Sequence, residues 1–414
     1  MLRLPARSTA LAGVGLALLA GCTSGSTPSS SGAAASSGSG SAMSGAASAS
    51  AAAPSPSRAA VKTASATGLL PGMPPPLSPG DVWAADRPGA LVPATKGIKP
   101  LVYVPNSKSD TVTVIDPATG KVLRTVKVGH EPQHVVPSWD LKTLWVNNDL
   151  GNSLTPIDAR TGKFGKRVAV ADPYNLYFTP DGKYAVVMAS MLHRLDFRDP
   201  HTMKLEKSVH VPCAGVNHAD FSADGRYFLV SCEFSGQMLK VDTAKLKLVS
   251  VLRLPHRAGK MAPKPQDVKA APNGKTFYVA DMMSDGMWVI DGPSFKVTGF
   301  IPTGRGAHGL YVTRDSKDLL VTNRDEGSIS EYAFAGMKLL HKWKLPGGGS
   351  PDMGGLSVDG TQFWVSGRYN GVVYAVDIRT GKLLHKIKVG AGPHGLCFWP
   401  QPGRYSLGHT GVMR

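Results

Sequence analysis

The chain has 414 residues, of which 42% are hydrophobic and 18% are charged, a composition that suits a globular fold. Its 47 glycines and 32 prolines indicate many turns, which favours a turn-dense β protein. The formal net charge is +17, but the basic residues are scattered, and no arginine cluster, RNP-like aromatic strip or helix-turn-helix pattern is present. This argues against a nucleic-acid groove, although electrostatic attachment to a nucleic acid or an anionic wall polymer stays open.

The N-terminus carries a targeting pattern. Arg3 and Arg7 precede an apolar run from Ala10 to Leu19, which is too short to span a membrane as a mature helix. The closing tetrapeptide, Leu19 to Cys22, resembles the lipobox of bacterial lipoproteins. That resemblance implies a signal peptide over residues 1–22, lipidation of Cys22, and an extracytoplasmic protein of the cell envelope that is anchored to the membrane by lipid. A chance cysteine in a plain secretory signal is the alternative.

Two further segments precede the repetitive part of the chain. Residues 23–66 are almost entirely Ser, Ala, Gly, Thr and Pro, with too little apolar surface for a core, which predicts a disordered tether. Residues 67–100 are rich in proline and contain Trp83, which indicates an arm that lies against the folded body. We expect residues 101–414 to form a single domain.

The segment from Leu101 to His134 reads as one repeat unit. An apolar β-rich run is followed by a polar turn, an alternating strand that ends at Asp116, a Pro-Ala-Thr-Gly turn and a final alternating strand. The strand ending in an acidic residue recurs, for example at Asp158, Asp242, Asp291 and Asp377. A period of about 40 to 50 residues with about four strands per unit is typical of a β-propeller.

Seven copies of this strand predict an all-β, seven-bladed β-propeller. The first unit has no recognisable innermost strand, whereas His394 to Trp399, near the other end of the chain, looks like an innermost strand without a complete unit after it. We therefore expect the C-terminal strand to close the first blade, which would pair two otherwise exposed edges.

The motif YVPN at Tyr103 to Asn106, the related VNN, VTN and YVA, and the segment VIDPATGK resemble the YVTN family of seven-bladed propellers. The resemblance covers roughly 300 residues. It implies the fold but leaves the function open, because relatives include envelope binding proteins, surface-layer proteins and propeller parts of redox enzymes.

One position recurs in register at the entry to each innermost strand, so its copies should form a ring around one mouth of the central channel. These entry residues are His134, Asn175, His218, Asp267, His308, Asp352 and His394. In the copy that reads SPDMGG, a one-residue gap leaves Asp352 or Met353 as the entry residue. Four of the seven positions are histidine.

Converging imidazoles predict a site for one transition-metal ion, with His134, His218, His308 and His394 as ligands and copper as the first candidate. Asn175, Asp267 and Asp352 would contact a small polar ligand, with Asp267 a candidate acid-base group. Two alternatives stay open: a polar-ligand site without metal, and histidines that only hold the blades together. His409, in the GHTG tail, lies outside the register and could fold over the channel.

Cys213 and Cys232 should stand at the same mouth. A disulfide is the first expectation in an oxidising envelope, and free thiols that ligate copper are the alternative. Several charged residues after second strands should rim this mouth, as selectors of a charged substrate or as ordinary loop residues. They are Glu233, Asp281, Arg324, Asp325 and Arg368.

Two functions follow from this pattern. The first is an envelope binding or scaffold protein with a metal ion or small polar ligand at the hub, and the second is a copper-dependent oxidoreductase that uses the hub histidines. A sugar-lactone hydrolase is disfavoured because it would need a carboxylate-rich calcium hub. The residues do not identify a protein partner.

Overall fold

The computed structural model describes residues 68–409 and 411–414. The expected signal peptide, Cys22 and tether lie outside these residues. Seven four-stranded antiparallel sheets follow one another along the chain, and a 3-10 turn at Glu233–Ser235 is the one helical element in the described part. Within that part, no helix has the length and apolarity needed to cross a membrane. The prediction of an all-β, seven-bladed β-propeller is confirmed.

The strands of each blade run outward from the axis. Blade 1 contains β1 (Leu101–Asn106), β2 (Thr111–Asp116) and β3 (Lys121–Lys127). Blade 2 contains β4 (Pro132–Pro137), β5 (Thr143–Asn148), β6 (Ser153–Asp158) and β7 (Val168–Ala169). Blade 3 contains β8 (Asn175–Phe178), β9 (Ala185–Ala189), β10 (Arg194–Arg198) and β11 (Leu205–His210). Blade 4 contains β12 (Val216–Phe221), β13 (Tyr227–Cys232), β14 (Gln237–Asp242) and β15 (Lys247–Arg253). Blade 5 contains β16 (Pro265–Ala270), β17 (Thr276–Asp281), β18 (Gly286–Asp291) and β19 (Lys296–Pro302). Blade 6 contains β20 (Ala307–Val312), β21 (Asp318–Asn323), β22 (Ser328–Ala333) and β23 (Lys338–Lys344). Blade 7 contains β24 (Pro351–Leu356), β25 (Gln362–Gly367), β26 (Val372–Asp377) and β27 (Leu383–Lys388). The last strand, β28 (Cys397–Trp399), returns to blade 1.

The ring closes as expected. Strand β28 pairs antiparallel with β1, with Tyr103 opposite Cys397 and Leu101 opposite Trp399. Regular pairing begins only at Cys397, so His394 lies just before the strand and not inside it. It is held there by its own N–H, which donates to the Pro105 carbonyl at 3.0 Å. Because β28 joins blade 1, the inner edge of β1 and the last strand of the ring are both paired.

Burial decreases from the axis to the rim. Innermost strands such as β4, β12 and β20 are buried at every position, because they pack against neighbouring blades on both faces. Outermost strands such as β3 and β23 are mostly exposed and carry several lysines. These exposed cations contribute to the +17 charge of the chain.

Five of the seven innermost strands have an irregularity around the entry residue, whereas β8 and β28 pair regularly. The pairing of β12 with β13 shifts register between Val216 and Ala219, and β20 with β21 shifts between Ala307 and Leu310. The same shift occurs in blades 2, 5 and 7. A β-bulge redirects side chains out of the regular alternation. Here the bulges contain His134, His218, Asp267, His308 and Asp352.

The Pro-rich arm and the C-terminal tail cover the end of the propeller opposite these bulges. Trp83 is 2% exposed, and its Nε1 donates to the Ala270 carbonyl at 2.9 Å. The tail packs beside the arm, with the guanidinium of Arg414 4.0 Å from the Trp83 ring centre. Further along, the tail pairs with the innermost strand of blade 3, where His409 N–H donates to the Leu176 carbonyl at 3.1 Å.

Candidate metal centre

The bulges bring the predicted ring together on the propeller axis. Every one of the seven entry residues is at most 2% exposed, and His409 from the tail is fully buried among them. We call these eight residues the hub. They are His134, Asn175, His218, Asp267, His308, Asp352, His394 and His409.

The first group in the hub consists of three imidazoles. His134, His218 and His409 can each place one ring nitrogen within 4.8 Å of the others. The ring centres of His218 and His409 are 4.7 Å apart, and those of His134 and His409 are 5.2 Å apart. His134 packs on the backbone of Gly395, where a Cβ atom would lie 2.1 Å from its Nδ1. A glycine is therefore required there for the imidazole to occupy its position.

The second group contains two imidazoles and a carboxylate. His308, Asp352 and His394 also place ligand atoms within 4.8 Å of one another. His308 Nδ1 lies 3.0 Å from one Asp352 oxygen, and His394 Nε2 lies 3.5 Å from the other. The four predicted histidine ligands thus divide into two pairs. His409 joins His134 and His218, and Asp352 joins His308 and His394.

The two groups are neighbours. The ring centres of His134 and His394 are 4.7 Å apart, and those of His218 and His308 are 6.4 Å apart. Tyr174 lies against both groups, with its ring centre 5.6 Å from that of His134 and 6.4 Å from that of His394. Sequence reasoning missed Tyr174, although it directly precedes the entry residue Asn175.

Burial and mutual repulsion keep the first group uncharged. Removal from water, and then the neighbouring imidazoles, lower the pKa of both His134 and His218 well below 6.5. Burial also lowers the pKa of His409, against the attraction of Asp267. Neutral imidazoles have a free lone pair for a metal ion at neutral pH, without first losing a proton.

The two hub carboxylates are ionised. Burial would raise the pKa of Asp352, but His308, His394 and Arg324 hold it well below 3.8. For Asp267, the effect of burial is outweighed by Lys269 and His409, which lower its pKa below the ordinary value. A carboxylate held in this form does not donate a proton at neutral pH. This favours a fixed counter-charge over proton donation by Asp267, whose acid-base role stays a prediction.

The first group meets a simple test for a metal site. His134 and His218 are fully buried, yet neither ring nitrogen of either residue has a hydrogen-bond partner among the described residues. An unsatisfied buried polar group costs about 1–3 kcal/mol, so buried polar atoms normally find a partner. Four ring nitrogens left over beside a third imidazole fit a site that coordinates a cation.

The other hub residues hold neighbouring blades together. Asn175 Nδ2 donates to the Asn217 carbonyl at 3.1 Å, and Asp267 Oδ2 accepts from Leu310 N–H at 2.9 Å. The Asp352 carbonyl accepts from Thr322 Oγ1 at 2.8 Å. In the strand register Met353, and not Asp352, is equivalent to His134, His218 and Asp267, and it packs into the apolar core of blades 6 and 7. Asp352 enters the hub from one residue earlier in the bulge.

The rim residues have separate roles. Cys213 and Cys232 are bonded as a disulfide that links the start of β12 to the end of β13. Asp281 is fully buried, and its carboxylate accepts from the Trp288 indole and from nearby backbone N–H groups. These hydrogen bonds give Asp281 a structural role. Arg324 and Arg368 instead lie against Asp352, with nitrogen to oxygen distances of 3.2 and 3.7 Å.

The fold and the site define a seven-bladed β-propeller with a buried, histidine-rich hub. The chain belongs to the YNCE-like beta-propeller family, whose model matches residues 56–401. This confirms the predicted YVTN-like resemblance. No curated protein sequence matches the chain.

Solved structures share the fold at low sequence identity. Hydrazine synthase from Kuenenia stuttgartiensis is 22% identical, with a TM-score of 0.54 over 63% of this chain and 87% of that one. A functionally unknown protein from Desulfotomaculum acetoxidans is 15% identical, with a TM-score of 0.58 over 71% and 98%. Dihydro-heme d1 dehydrogenase NirN, in complex with DHE, is 15% identical, with a TM-score of 0.54 over 78% of each chain. At these identities the likeness concerns the fold and not the activity.

Proposed function

We propose that this chain is a lipid-anchored propeller of the bacterial envelope whose hub binds one transition-metal ion through His134, His218 and His409. The proposal is carried by the four ring nitrogens of His134 and His218, which have no hydrogen-bond partner in the described part of the chain. A structural histidine in a dry interior would use at least one ring nitrogen in a hydrogen bond.

Copper is the ion we propose, with zinc as its main competitor. Imidazole donors suit copper, zinc and iron, and divalent copper binds a given nitrogen site more tightly than the other first-row ions. The adjoining Asp267 adds a negative charge, with an oxygen 3.7 Å from His409 Nε2. Lys269 Nζ lies 3.6 Å from the other Asp267 oxygen, so this charge would offset only a small part of the cost of burying a divalent ion.

The envelope location rests on the N-terminal segment. The apolar run and the Leu-Ala-Gly-Cys ending favour export and attachment of lipid to Cys22. The small-residue tether of residues 23–66 would let the propeller stand away from the membrane. In this arrangement the propeller would act as an envelope binding or scaffold protein that holds a metal.

Metal analysis of the full-length protein tests the proposal. After copper loading and dialysis, we expect one ion per chain in the wild type and less than a tenth of that in His134→Ala and His218→Ala. His201→Ala is the matched control, because His201 is exposed and lies outside the hub. The same loading with zinc identifies the preferred ion.

Wild-type protein that retains neither ion would remove the proposal. Equal retention by wild type and both hub variants would place any metal elsewhere on the chain.

The copper-dependent oxidoreductase is the second candidate, and the second ligand group favours it. His308, Asp352 and His394 directly adjoin the first group, so a second ion could bind beside the first. If the protein is an oxidoreductase, the copper-loaded form should be reduced by ascorbate and reoxidised by air over repeated cycles of its Cu(II) spectrum. Copper that remains in one oxidation state throughout would leave only the binding role.

A further inference from the structure

Arg324 and Arg368 occupy equivalent positions in adjacent blades. Each is the first residue after a second strand, Arg324 after β21 and Arg368 after β25. Both guanidinium groups lie beside Asp352, on the side of the hub that contains His308 and His394. Their side chains are 10% and 18% exposed, so the pair is largely buried but can be reached from the mouth.

The two arginines share one carboxylate. Arg324 Nη1 lies 3.2 Å from Asp352 Oδ1, and Arg368 Nε lies 3.7 Å from Oδ2. Asp352 also lies close to His308 and His394, yet its Oδ2 forms no hydrogen bond within the described residues. Glu233 and Asp325 act on Arg324 at longer range, so Asp352 is the carboxylate that directly faces both guanidinium groups.

Part of each guanidinium has no partner. Nε of Arg324 and Nη1 of Arg368 are buried and form no hydrogen bond within the described residues. Guanidinium groups are most strongly satisfied by planar, bidentate oxygen groups. Two neighbouring forks with free donors are therefore suited to an oxyanion that approaches from the mouth.

The negative residues nearby do not fill this role. Glu233, on the rim of blade 4, accepts a hydrogen bond from Asn217 Nδ2 at 3.1 Å. Asp325 is exposed, and its backbone N–H donates to the Arg305 carbonyl at 3.1 Å. Both carboxylates help to raise the pKa of Arg324 from a distance, but the short ion pairs of Arg324 and Arg368 are with Asp352.

From this geometry we infer that Arg324 and Arg368 form a subsite for a small oxyanion, such as a carboxylate or an inorganic anion, next to the metal-binding imidazoles. The inference rests on the proposed function for the role of the hub as a ligand site, and it assigns the ligand class. The anion would lie above Asp352, within reach of an ion held by His134, because the His134 and His394 rings adjoin.

Calorimetric titration of the full-length, metal-free protein with formate, and separately with phosphate, tests the subsite. We expect saturable binding of at least one anion. Arg368→Gln should weaken it at least tenfold, and Arg368→Lys should weaken it less, because lysine keeps the charge but loses the fork. Arg379→Gln is the matched control, because Arg379 is a 75% exposed arginine on a distant turn, paired with Asp377.

The thermal midpoint of each variant, measured in the same buffer, shows whether it is folded. Absence of saturable binding in the wild type, or equal affinity in wild type and a folded Arg368→Gln variant, would overturn the inference. Copper loading separates the two proposals. A protein that binds the anion but retains no copper would refute the metal site and leave the anion subsite. A protein that retains copper but binds no anion would refute the subsite and leave the metal site.

Discussion

His134 and His218 each bury an imidazole whose two nitrogens have no hydrogen-bond partner among the described residues. Burial removes these groups from water without replacing the lost hydrogen bonds, which is unfavourable for folding. The hub residues Asn175 and Asp267 differ, because their side chains bond the backbone of adjacent blades. At this scale the hub contains residues that stabilise the ring and residues that destabilise it.

Replacing His134 by leucine should therefore leave the metal-free protein equally stable or more stable. Leucine keeps much of the side-chain volume and removes two unsatisfied polar atoms. The gain in thermal midpoint that copper gives the wild type should be lost. Asn148→Ala is a contrasting control, because Asn148 bonds Gly129, Ser153 and Thr155, and its loss should cost about 1–3 kcal/mol. A destabilisation of His134→Leu as large as that of Asn148→Ala would indicate a structural histidine.

Stability of the metal-free protein should fall between pH 7.5 and pH 5.5. The pKa values of His134, His218 and His394 lie well below 6.5 in the folded state, mainly because of burial. The unfolded chain therefore binds protons near pH 6.5 that the folded chain does not, and stability is lost as the pH falls. Each imidazole contributes up to about 1.4 kcal/mol per pH unit below 6.5.

Denaturant unfolding in the presence of a chelator measures this slope. His134→Leu should reduce it and His201→Ala should not. A free energy of unfolding that is the same at both pH values would show that the hub imidazoles bind protons as readily in the fold as in the unfolded chain.

The blades are the elements that the sequence predicts best. Alternating apolar residues, a turn of the Asp-Gly type and a strand ending in aspartate recur often enough to determine the fold. They place the entry residues only to within one position, since His308 lies one residue before the position equivalent to His134 and His218. The bulges in five blades follow from no single residue pattern, because they depend on pairing with the next strand. Side-chain direction within the hub was therefore beyond the sequence pattern, and so was the division into two ligand groups.

The C-terminal tail shows a second limit of the sequence. His409 has no counterpart in the other repeats, so periodicity cannot place it, although its position beside the closing strand was a signal that it could enter the channel. Backbone pairing with Leu176 carries it there. The contribution of Tyr174 and Lys269 was missed for a related reason, since each is recognisable only once adjacent blades are in place.

The arm should be as important for stability as a core strand. Trp83 is 2% exposed and packs between Ala270 and Arg414, so Trp83→Ala should cost about 3–5 kcal/mol. Because Arg414 belongs to the tail that carries His409, this variant should also bind copper more weakly. Leu77→Ala, at a 61% exposed position of the same arm, should change neither quantity. A Trp83→Ala protein with wild-type stability would show that the arm is not needed for folding.

On the scale of the whole molecule, the closed ring explains how a buried polar hub can exist. Pairing of β28 with β1 fixes the seven blades around the axis, and the arm and tail cover one end. Ligands would then reach the hub from the opposite mouth, where Arg324 and Arg368 lie. The exposed lysines of outermost strands such as β3 and β23 are separate from this site.

Membrane attachment is a prediction about the complete chain. Expressed in a bacterium that processes lipoproteins, the wild type should be recovered with membranes and gain the mass of attached lipid at Cys22. Cys22→Ser should be released from membranes, with the same metal content per chain as the wild type. Membrane recovery of Cys22→Ser equal to that of the wild type would contradict a lipid anchor at this residue.

The central claim, that the hub imidazoles coordinate a metal ion, is tested most directly by anomalous diffraction from crystals of the copper-loaded full-length protein. We predict an anomalous peak about 2 Å from one ring nitrogen each of His134, His218 and His409. A peak at any other position, or copper-loaded crystals without a peak at these three side chains, would contradict the account.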